Sequence, residues 1–388
     1  MVDKRHWPKL NLETSLLGFG CMRFPTKPDM SIDEEKAEAM IDKAYANGVN
    51  YYDTAYLYHN GQSEVAVGKF LNKYPRESYY IATKLPLMFF TPNDTIERAK
   101  QIFEEQLKKL NKDYIDFYLL HGLNKMAFET VKRLDLINFC ENLRKEGRIR
   151  YLGFSFHDSY EVFEEILRCH DWDFCQIQLN YMDANEQAGL KGYELAKSLG
   201  IPMVIMEPAK GGSLSVLPED VAEPLEKMNP DASLTSWAMR WVGSLDNVKV
   251  VLSGMTEMSH LDDNLKTFTN FQPLSEAEMA AIEEARAAFA RRVKNSCTAC
   301  RYCMPCPAGV DIPGNFAIWN RYGMYNNPRD VAFAWNGFAM RPEAKAKNCV
   351  ECGQCEEKCP QKIPIREDLK KLQKELDEVA ASVMPPRP

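Results

Sequence analysis

SIDEEKAEAMIDKAYANGVNYYDTAYLYHNG, residues 31–61, contains one complete helix-to-strand unit, and similar units recur along most of the chain. Ser31 and Glu34 have the spacing of a capping box, which predicts the start of a helix. Apolar residues then recur on one helical face, at Ala37, Met40, Ile41, Ala44 and Tyr45. Asn47 and Gly48 predict the end of the helix, and the apolar run 49–54 predicts a strand after it.

Other apolar, β-rich runs predict strands at 15–20, 79–85, 114–121, 151–156, 174–181, 202–207 and 248–253, with helical patterns such as 95–110 between most of them. Strand and helix alternating eight times within roughly 270 residues predict an α/β fold, the (β/α)₈ barrel. The alternative is a doubly wound sheet, whose dinucleotide site requires G-x-G-x-x-G after the first strand. Here GFGCMR, residues 18–23, lacks the third glycine, so we favour the barrel.

The rest of the chain predicts a second domain. We expect the barrel over 1–272, a connecting helix over 273–294, a cysteine-rich domain over 295–366, and a helix and tail over 367–388. Ser275 and Glu278 form a capping box at the connecting helix. The last helix has an apolar stripe of Leu369, Leu372, Leu376 and Val379. This stripe predicts packing within the protein, and a coiled-coil partner is the less favoured alternative.

Charge and composition exclude several classes of protein. The 388 residues carry a net charge of −7 with no evident basic face, so we expect no nucleic-acid partner. No apolar run approaches the about 18 residues of a membrane span, so we expect no membrane span, and the charged stretch MVDKRHWPKL leads us to expect no signal peptide. Eight of the twelve cysteines lie in two C-terminal runs, and the others are Cys21, Cys140, Cys169 and Cys175. This pattern favours a cytoplasmic location and metal ligation over disulfides.

Four ionisable residues lie at the strand ends where such a barrel carries its reactive groups. Asp53 ends the second predicted strand, Tyr58 follows in its loop, Lys84 ends the third strand and His121 ends the fourth. A single tyrosine or histidine is usually structural, but a lysine that ends an apolar strand needs a partner, and Asp53 is available. Because perturbed titratable groups concentrate at functional sites, we interpret the four as catalytic.

The chemistry of these residue types suggests proton donation. A free tyrosine has a pKa of about 10, too high for an efficient acid at neutral pH. We expect the Lys84 cation to lower the pKa of Tyr58, and Asp53 to hold Lys84. His121 is expected to hydrogen-bond a carbonyl oxygen and orient it. Such a group can protonate an oxygen while hydride reaches its carbon.

Five segments resemble the aldo/keto reductase family over about residues 12–270: LGFGCMRFP, DTAYLYHNG with Ser63-Glu64 after it, ATKL, LLHG and the GFS at 153–155. The resemblance implies a (β/α)₈ barrel and carbonyl reduction by a nicotinamide cofactor. It also implies that Tyr58 is the general acid/base, that Lys84 and Asp53 tune it, and that His121 orients the substrate.

The resemblance further implies a cofactor site of Gly20, Met22, Asp53, Ser155, Gln176, Ser253, Gly254, Thr256, His260 and Asn264. Ser155 and Gln176 would hydrogen-bond the nicotinamide carboxamide, and the residues from Ser253 onward would lie near the adenosine phosphate. The chain departs from the family in three places: Phe156-His157 after Ser155, Met206 in place of a stacking aromatic residue, and His260 in place of arginine.

The choice of coenzyme is open between NADP and NAD. A 2′-phosphate requires Arg or Lys, and Glu257 would repel it, whereas the family resemblance favours NADP. The apolar loop LPLMFF, residues 85–90, is expected to pack against the barrel, with a hydrophobic substrate wall as the alternative.

The two cysteine runs have the spacings C-x2-C-x2-C-x2-C-P and C-x2-C-x2-C-x3-C-P. The second is that of bacterial ferredoxins, in which the fourth cysteine binds the other cluster. We therefore predict two 4Fe–4S clusters, held by Cys297, Cys300, Cys303 and Cys359, and by Cys306, Cys349, Cys352 and Cys355. Structural zinc, which usually takes two separated C-x2-C pairs, is the less favoured alternative.

Residues 295–365 resemble a dicluster ferredoxin module. The first run is one residue short before Cys306, which leaves open whether this cysteine reaches the second cluster. A long insert separates the runs and contains the aromatic residues Trp319, Tyr322, Tyr325, Phe333, Trp335 and Phe338. We expect the insert to form a core for the small domain; shielding of the clusters or a position facing the barrel mouth are alternatives.

Two functions follow from these features. The first is an enzyme that interconverts a small carbonyl and an alcohol with NAD(P)(H), whose clusters are structural, sense redox state or pass electrons to a partner protein. The second is an electron-transfer or redox-sensing protein in which the barrel is only a scaffold. A hydride carries two electrons and a cluster one, so we favour a structural or sensing role for the clusters over direct coupling. The oligomeric state is not predicted.

Overall fold

The computed structural model describes residues 1–337 and 340–383. The chain forms two compact units: Met1–Ser215 with Asp231–Met279, and Val216–Pro230 with Ala280–Pro388. Phe338 and the MPPRP tail lie outside the described residues. In the part of the chain that is described, no helix is both long and apolar enough to cross a lipid bilayer.

The strands are β1 Lys4–Trp7, β2 Leu12–Ser15, β3 Leu17–Gly20, β4 Tyr51–Asp53, β5 Tyr80–Leu85, β6 Ile115–Leu123, β7 Ile149–Phe156, β8 Phe174–Gln178, β9 Met203–Met206 and β10 Val248–Gly254. Strands β3 to β10 pair in parallel, each with the next, and β10 returns to β3 to close a barrel. These eight strands correspond to the eight predicted runs, so the predicted barrel is confirmed.

The α-helices are α1 Glu34–Ala46, α2 Ser63–Leu71, α3 Ile96–Leu110, α4 Lys125–Leu134, α5 Leu136–Lys145, α6 Tyr160–Arg168, α7 Gly189–Ser198, α8 Glu219–Met228, α9 Leu234–Gly243, α10 Met258–Phe268, α11 Glu276–Arg291, α12 Ile312–Tyr325, α13 Pro328–Asn336, α14 Gln354–Glu357 and α15 Ile365–Val383. Short 3₁₀ helices are Cys21–Arg23, Tyr58–Gly61, Arg76–Ser78, Leu87–Phe89, Lys210–Ser215, Pro342–Ala344 and Ala346–Asn348.

The cap of α1 differs from the prediction. Asp33, not Ser31, is the N-cap, and its carboxylate accepts a hydrogen bond from the amide of Lys36. The Ser31 hydroxyl instead donates to Asp29, 2.6 Å away, so the predicted capping box is wrong. The predicted apolar face is buried except for the half-buried Tyr45. The capping box at α11 is present, because Ser275 and Glu278 exchange hydrogen bonds.

An antiparallel hairpin of β1 and β2 precedes the barrel and is not predicted by the sequence pattern. Its Trp7 is fully buried and packs 5.3 Å, between ring centroids, from Phe117 of β6. The Trp7 indole donates to the hydroxyl of Thr14, which satisfies its buried N–H. Phe117 also contacts Tyr51, Tyr80, Tyr151 and Phe174. The hairpin thus extends the barrel core with an aromatic cluster.

The second unit has its own core, formed mainly by α12, α13 and α15. Trp319 and Trp335 of the insert are buried, and their indole groups donate to Glu375 and Asp377 of α15 at 2.7 and 2.8 Å. The insert is therefore a core element, as expected. Phe333 differs, because it is 67% exposed on the outer face of α13.

Candidate active site and cluster sites

The barrel brings the four predicted catalytic residues together. Asp53 is the last residue of β4, and β5 and β6 place Lys84 and His121 near their carboxyl ends. Tyr58 begins the 3₁₀ helix after β4. Parallel strands end on the same face of a barrel, so side chains far apart in sequence meet at one mouth.

Lys84 and Asp53 form a buried ion pair. The Lys84 ammonium lies 2.6 Å from Asp53 Oδ1 and also donates to the carbonyl of Thr54 at 2.7 Å. Burial acts to lower the pKa of Lys84, but the charges of Asp53 and Tyr58 outweigh it and leave the pKa raised. Lys84 is therefore a permanent cation at the base of the site.

Tyr58 lies beside this cation. The Lys84 ammonium is 5.1 Å from the centre of the Tyr58 ring and donates a hydrogen bond to its hydroxyl. Burial raises the pKa of Tyr58, and the opposing effect of Lys84 is smaller. The expectation of a lowered pKa is therefore wrong in its net direction, because it neglected desolvation. Tyr58 is a neutral phenol at physiological pH.

His121 completes the group. Its ring stands nearly perpendicular to that of Tyr58, with 6.1 Å between centroids. Burial, then Lys84 and His157, lower the pKa of His121 to about 3, so the imidazole is neutral. Among the described residues, Nδ1 of His121 and Oδ2 of Asp53 are buried without a hydrogen-bond partner. Such atoms fit a site that a bound molecule completes.

A buried polar network lies behind Lys84. Glu64 accepts hydrogen bonds from Thr83 at 2.7 Å and from Gln106 at 2.8 Å. Gln106 also donates to the carbonyl of Lys84 at 3.0 Å and accepts from Tyr118. This network fixes the β5 backbone that carries Lys84. Nothing in the helical pattern around Gln106 distinguishes it from other polar residues, so its role is not predictable from the sequence.

The two residues predicted to bind the nicotinamide carboxamide, Ser155 and Gln176, lie side by side. Ser155 of β7 is in register with Gln176 of β8, and its hydroxyl accepts from the amide of Gly122 at 2.8 Å. Gln176 donates to the sulfur of Met206 at 3.6 Å. Within the described part of the chain, its Oε1 is buried with no partner. An unpaired amide oxygen beside a serine hydroxyl suits a carboxamide.

The other predicted cofactor residues gather where β3 and β10 meet. Gly20 pairs with Gly254, and a Cβ on Gly20 would lie 3.1 Å from the carbonyl oxygen of Ser253, which explains the glycine. Asn264 of α10 donates to Ser253 at 2.7 Å. The predicted Met22 is 55% exposed in the loop after β3.

His260 and Glu257 form a reciprocal cap at the start of α10. His260 Nδ1 accepts from the amides of Thr256 and Glu257 at 3.4 and 3.3 Å, and the Glu257 carboxylate accepts from the amide of His260. The cap fixes a carboxylate at the helix end next to the predicted adenosine site.

Arg23 is a further candidate that the sequence motifs do not indicate. Its side chain lies across Gly254, and its guanidinium is 3.7 Å from where a Cβ of Gly211 would stand. Its carbonyl accepts from the Thr256 hydroxyl at 3.2 Å. The sequence feature that could have identified Arg23 is its positive charge directly after the GFGCM segment.

The apolar loop after β5 is only partly packed. Leu87 is buried, but Met88 and Phe89 are 56% and 45% exposed. The expectation that this loop simply packs is therefore wrong for these two residues. Phe89 contacts Tyr56 of the catalytic loop, with 6.1 Å between ring centroids.

The eight clustered cysteines surround two cavities. One is lined by Cys297, Cys300, Cys303 and Cys359, and the other by Cys306, Cys349, Cys352 and Cys355. Cys303 and Ile312 border both, so the cavities share a wall. The grouping matches the two predicted ligand sets, and Cys306 reaches the second cavity despite the short spacing of its run.

The two cysteine motifs also share a backbone conformation. The amides of Ala299 and Glu351 donate to the sulfurs of Cys297 and Cys349, both at 3.4 Å. Ala299 and Glu351 have φ of 54° and 56°, and Arg301 and Gly353 follow with 62° and 79°. Left-handed non-glycine residues persist where a site demands them. N–H···S bonds of this kind support iron–sulfur clusters, so the cavities fit two clusters.

Comparison with known proteins agrees with these observations. Residues 16–287 match the Aldo/keto reductase family and residues 296–363 match the 4Fe-4S dicluster domain. The chain belongs to the aldo/keto reductase family and is an oxidoreductase with a C-terminal 4Fe–4S dicluster domain. The family implies NAD(P)H, and the eight cysteines of the dicluster domain imply two 4Fe–4S clusters.

Individual relatives are distant. An uncharacterized oxidoreductase, YqkF of Bacillus subtilis, is 26% identical over 73% of this chain and 96% of its own length. NADH-specific methylglyoxal reductase of Escherichia coli is 24% identical over 67% of this chain and 90% of its own. The holo form of aldo-keto reductase AKR11C1 from Bacillus halodurans has a TM-score of 0.61, with 28% identity over 74% of this chain and 96% of that one.

Proposed function

We propose that the barrel interconverts a carbonyl and an alcohol with a nicotinamide coenzyme. The observation that carries this proposal is the buried Lys84–Asp53 pair beside a neutral Tyr58 and a neutral His121. A buried ion pair contributes little to stability, so its presence at a barrel mouth favours a catalytic role over a scaffold.

Each residue has a distinct role in reduction. The neutral imidazole of His121 donates a hydrogen bond to the substrate oxygen and orients the carbonyl. A nicotinamide held by Ser155 and Gln176 would supply the hydride that the carbonyl carbon receives. Tyr58 gives its phenolic proton to the oxygen as negative charge develops there. The Lys84 ammonium stabilises the phenolate that remains, and Asp53 holds Lys84 in place.

The coenzyme would lie along β7, β8 and β10. Ser155 and Gln176 would bind the carboxamide, and Ser253, Gly254 and Asn264 would line the path toward the phosphates, with Arg23 as a nearby cation. We propose NADH as the preferred coenzyme, because the fixed carboxylate of Glu257 would repel a 2′-phosphate. The NADH specificity named for the Escherichia coli relative supports this choice.

The substrate is proposed to be a small carbonyl compound with an apolar flank. Met88 and Phe89 are exposed on the loop after β5, whose strand carries Lys84. Exposed apolar side chains beside reactive groups are a common feature of small-molecule pockets.

In the second unit, we propose that one cluster is held by Cys297, Cys300, Cys303 and Cys359, and the other by Cys306, Cys349, Cys352 and Cys355. The support is the lining of the two cavities. We propose a reducing cytoplasm as the location, because such a compartment keeps the eight clustered thiols free to bind metal instead of forming disulfides. A structural or sensing role is favoured over electron transfer to a partner protein.

The test of the barrel function is an anaerobic panel of aldehydes and ketones with NADH and NADPH. Tyr58→Phe removes the proton donor and should lower kcat by about 10²-fold or more. Tyr56→Phe is the matched control, because Tyr56 lies in the same loop but donates to Glu105 on the surface. Unchanged turnover in Tyr58→Phe would contradict the proposed chemistry. Bleaching of the cluster absorbance by NADH alone would instead favour electron transfer.

A further inference from the structure

Two asparagines of α12 contact the segments that lead into the two cysteine motifs. Asn315 is fully buried and Asn320 lies about one and a half turns further along the same helix. The sequence predicts that the insert containing α12 forms a core for the small domain, with shielding of the clusters or a position facing the barrel mouth as alternatives. The hydrogen bonds of these two residues indicate a more specific role.

Asn320 holds the approach to the first motif. Its Oδ1 accepts from the amide of Asn295 at 2.9 Å, and its Nδ2 donates to the carbonyl of Asn295 at 2.8 Å. Asn295 is itself buried, and its side chain accepts from the amide of Cys297 at 2.9 Å. It also donates to Asp368 of α15 at 2.6 Å. A continuous chain of hydrogen bonds therefore runs from α12 to the first cysteine.

Asn315 holds the approach to the second motif. Its Nδ2 donates to the carbonyls of Asp311 and Ala344 at 2.7 and 2.8 Å, and its Oδ1 accepts from the amide of Ala346 at 2.9 Å. The amide of Cys349, in turn, donates to the carbonyl of Ala346 at 3.0 Å. The same helix is thus connected to the first cysteine of each motif. Three hydrogen bonds lead from Asn320 to Cys297. Two lead from Asn315 to Cys349.

We infer that α12 is a positioning element for both iron–sulfur sites, with Asn320 placing the first cysteine motif and Asn315 placing the second. The inference rests on the proposed cluster ligands. Residues that fix the ligands of a metal site affect its affinity for the metal. Here they fix motifs whose left-handed residues, such as Ala299 and Glu351, are unfavourable unless the surroundings hold them.

The position of α12 is in turn set by the core of the unit. Trp319, next to Asn320, donates to Glu375 of α15. Ile312 at the start of α12 lines both cavities. The helix therefore has one end at the cavities and is anchored along its length, as a support for two separate loops requires.

The experiment uses the full chain, purified with its clusters in the absence of oxygen. Iron and acid-labile sulfide are measured per chain, and free cysteines are alkylated and mapped by mass spectrometry, since cluster ligands are protected. Asn320→Ala should lose about half of the iron and expose Cys297, Cys300, Cys303 and Cys359. Asn315→Ala should lose a similar share and expose Cys306, Cys349, Cys352 and Cys355.

Arg321→Ala is the matched control, because Arg321 lies on the same helix and pairs with Asp330 at the surface. The Arg321→Ala chain should keep its iron, and neither set of cysteines should become accessible to alkylation. The inference is overturned when the two asparagine variants expose the same cysteines, or when neither loses iron. Where an alanine variant does not fold, as judged by tryptophan fluorescence, the serine variant at that position is scored in the same way.

The outcomes also separate this inference from the proposed clusters. A wild-type chain that binds no iron would contradict the cluster assignment and the role of α12 with it. A wild-type chain with about eight irons, whose asparagine variants keep them all, would contradict only the role of α12.

Discussion

The two sites of this protein are built in opposite ways. The barrel site is centred on two charged side chains, Lys84 and Asp53, which neutralise each other in the interior and are only 1% and 5% exposed. Regular strands set their positions. The proposed cluster ligands lie mostly on irregular loops, with Cys355 in the short α14 and Cys359 buried, whereas Cys300 and Cys352 are exposed. Their positions depend on left-handed residues and on hydrogen bonds such as those that connect Cys297 through Asn295 to Asn320 of α12.

This difference determines what each site needs. The charges of the barrel site are paired by the protein itself, so it is organised before any ligand arrives. Four thiolates around one cavity repel one another, and an iron–sulfur cluster is what compensates them. Disruption of the barrel site should therefore reduce catalysis, whereas disruption of a cluster site should reduce metal content and local order.

The largest effect is expected from breaking the buried ion pair. Lys84→Met should lower kcat by on the order of 10³-fold, since Tyr58 loses the cation that stabilises its phenolate. It should also lower the free energy of unfolding by about 3–5 kcal/mol, because Asp53 is left buried without a partner. Urea denaturation and steady-state turnover measure the two effects.

The double variant Lys84→Met/Asp53→Asn separates catalysis from stability. It removes the unpaired charge and should recover most of the lost stability, but none of the lost activity. Recovery of turnover in the double variant would show that Lys84 acts only as a structural partner of Asp53.

The next effect tests the cluster sites. Cys359→Ala should lower the iron content from about eight to about four atoms per chain, because Cys359 is assigned to one cluster only. Carbonyl reduction by the barrel should stay within about twofold of wild type, since two-electron hydride transfer needs no cluster. Cys169→Ala, an exposed cysteine outside the motifs, is the control and should change neither quantity. A parallel loss of iron and turnover would show that the clusters serve catalysis.

The same contrast explains what the sequence could predict. Asp53, Tyr58, Lys84 and His121 could be placed because strand periodicity fixes which residues end each strand, and parallel strands end together. The spacing of the cysteines likewise predicted the two groups that line the cavities. These features depend on local patterns that a single sequence displays.

Features that depend on long-range balance were not predictable. The net direction of the Tyr58 pKa depends on how much burial opposes Lys84, and burial is a property of the packed barrel. The β1–β2 hairpin could not be predicted because its apolar residues are few. Its contribution to the core becomes evident only from the packing of Trp7 near Phe117. Asn295 and Asn320 lie 25 residues apart and look like ordinary polar residues until their hydrogen bonds are seen.

The next effect is expected in the pH dependence of the barrel. The raised pKa of Tyr58 keeps it protonated, and the pKa of His121 near 3 keeps the imidazole neutral. Reduction uses the phenol, so its kcat/KM should be flat from about pH 5 to 8. Oxidation uses the phenolate, whose fraction rises about tenfold per pH unit below its pKa, so its kcat/KM should rise across that range.

His121→Gln should leave the flat reduction profile unchanged in shape while lowering its level. His157→Gln is the control, since His157 influences the pKa of His121 but bonds to Gln187 at the surface. An inflection near pH 6 to 7 in wild-type reduction that disappears in His121→Gln would show that His121 titrates, contrary to its lowered pKa.

The smallest effect should come from the coenzyme end of the site. Glu257→Gln removes a carboxylate but keeps a side chain able to accept the amide hydrogen bond that caps α10. The ratio of kcat/KM for NADPH to that for NADH should rise by about five- to tenfold, as for one moderately screened like-charge contact of about 1 kcal/mol. Asp262→Asn, on the same helix but paired with Lys43, is the control. Because the effect is electrostatic, the change in this ratio should become smaller as the salt concentration increases. A ratio that changes neither with the substitution nor with the salt concentration would place the 2′-position of the coenzyme away from Glu257.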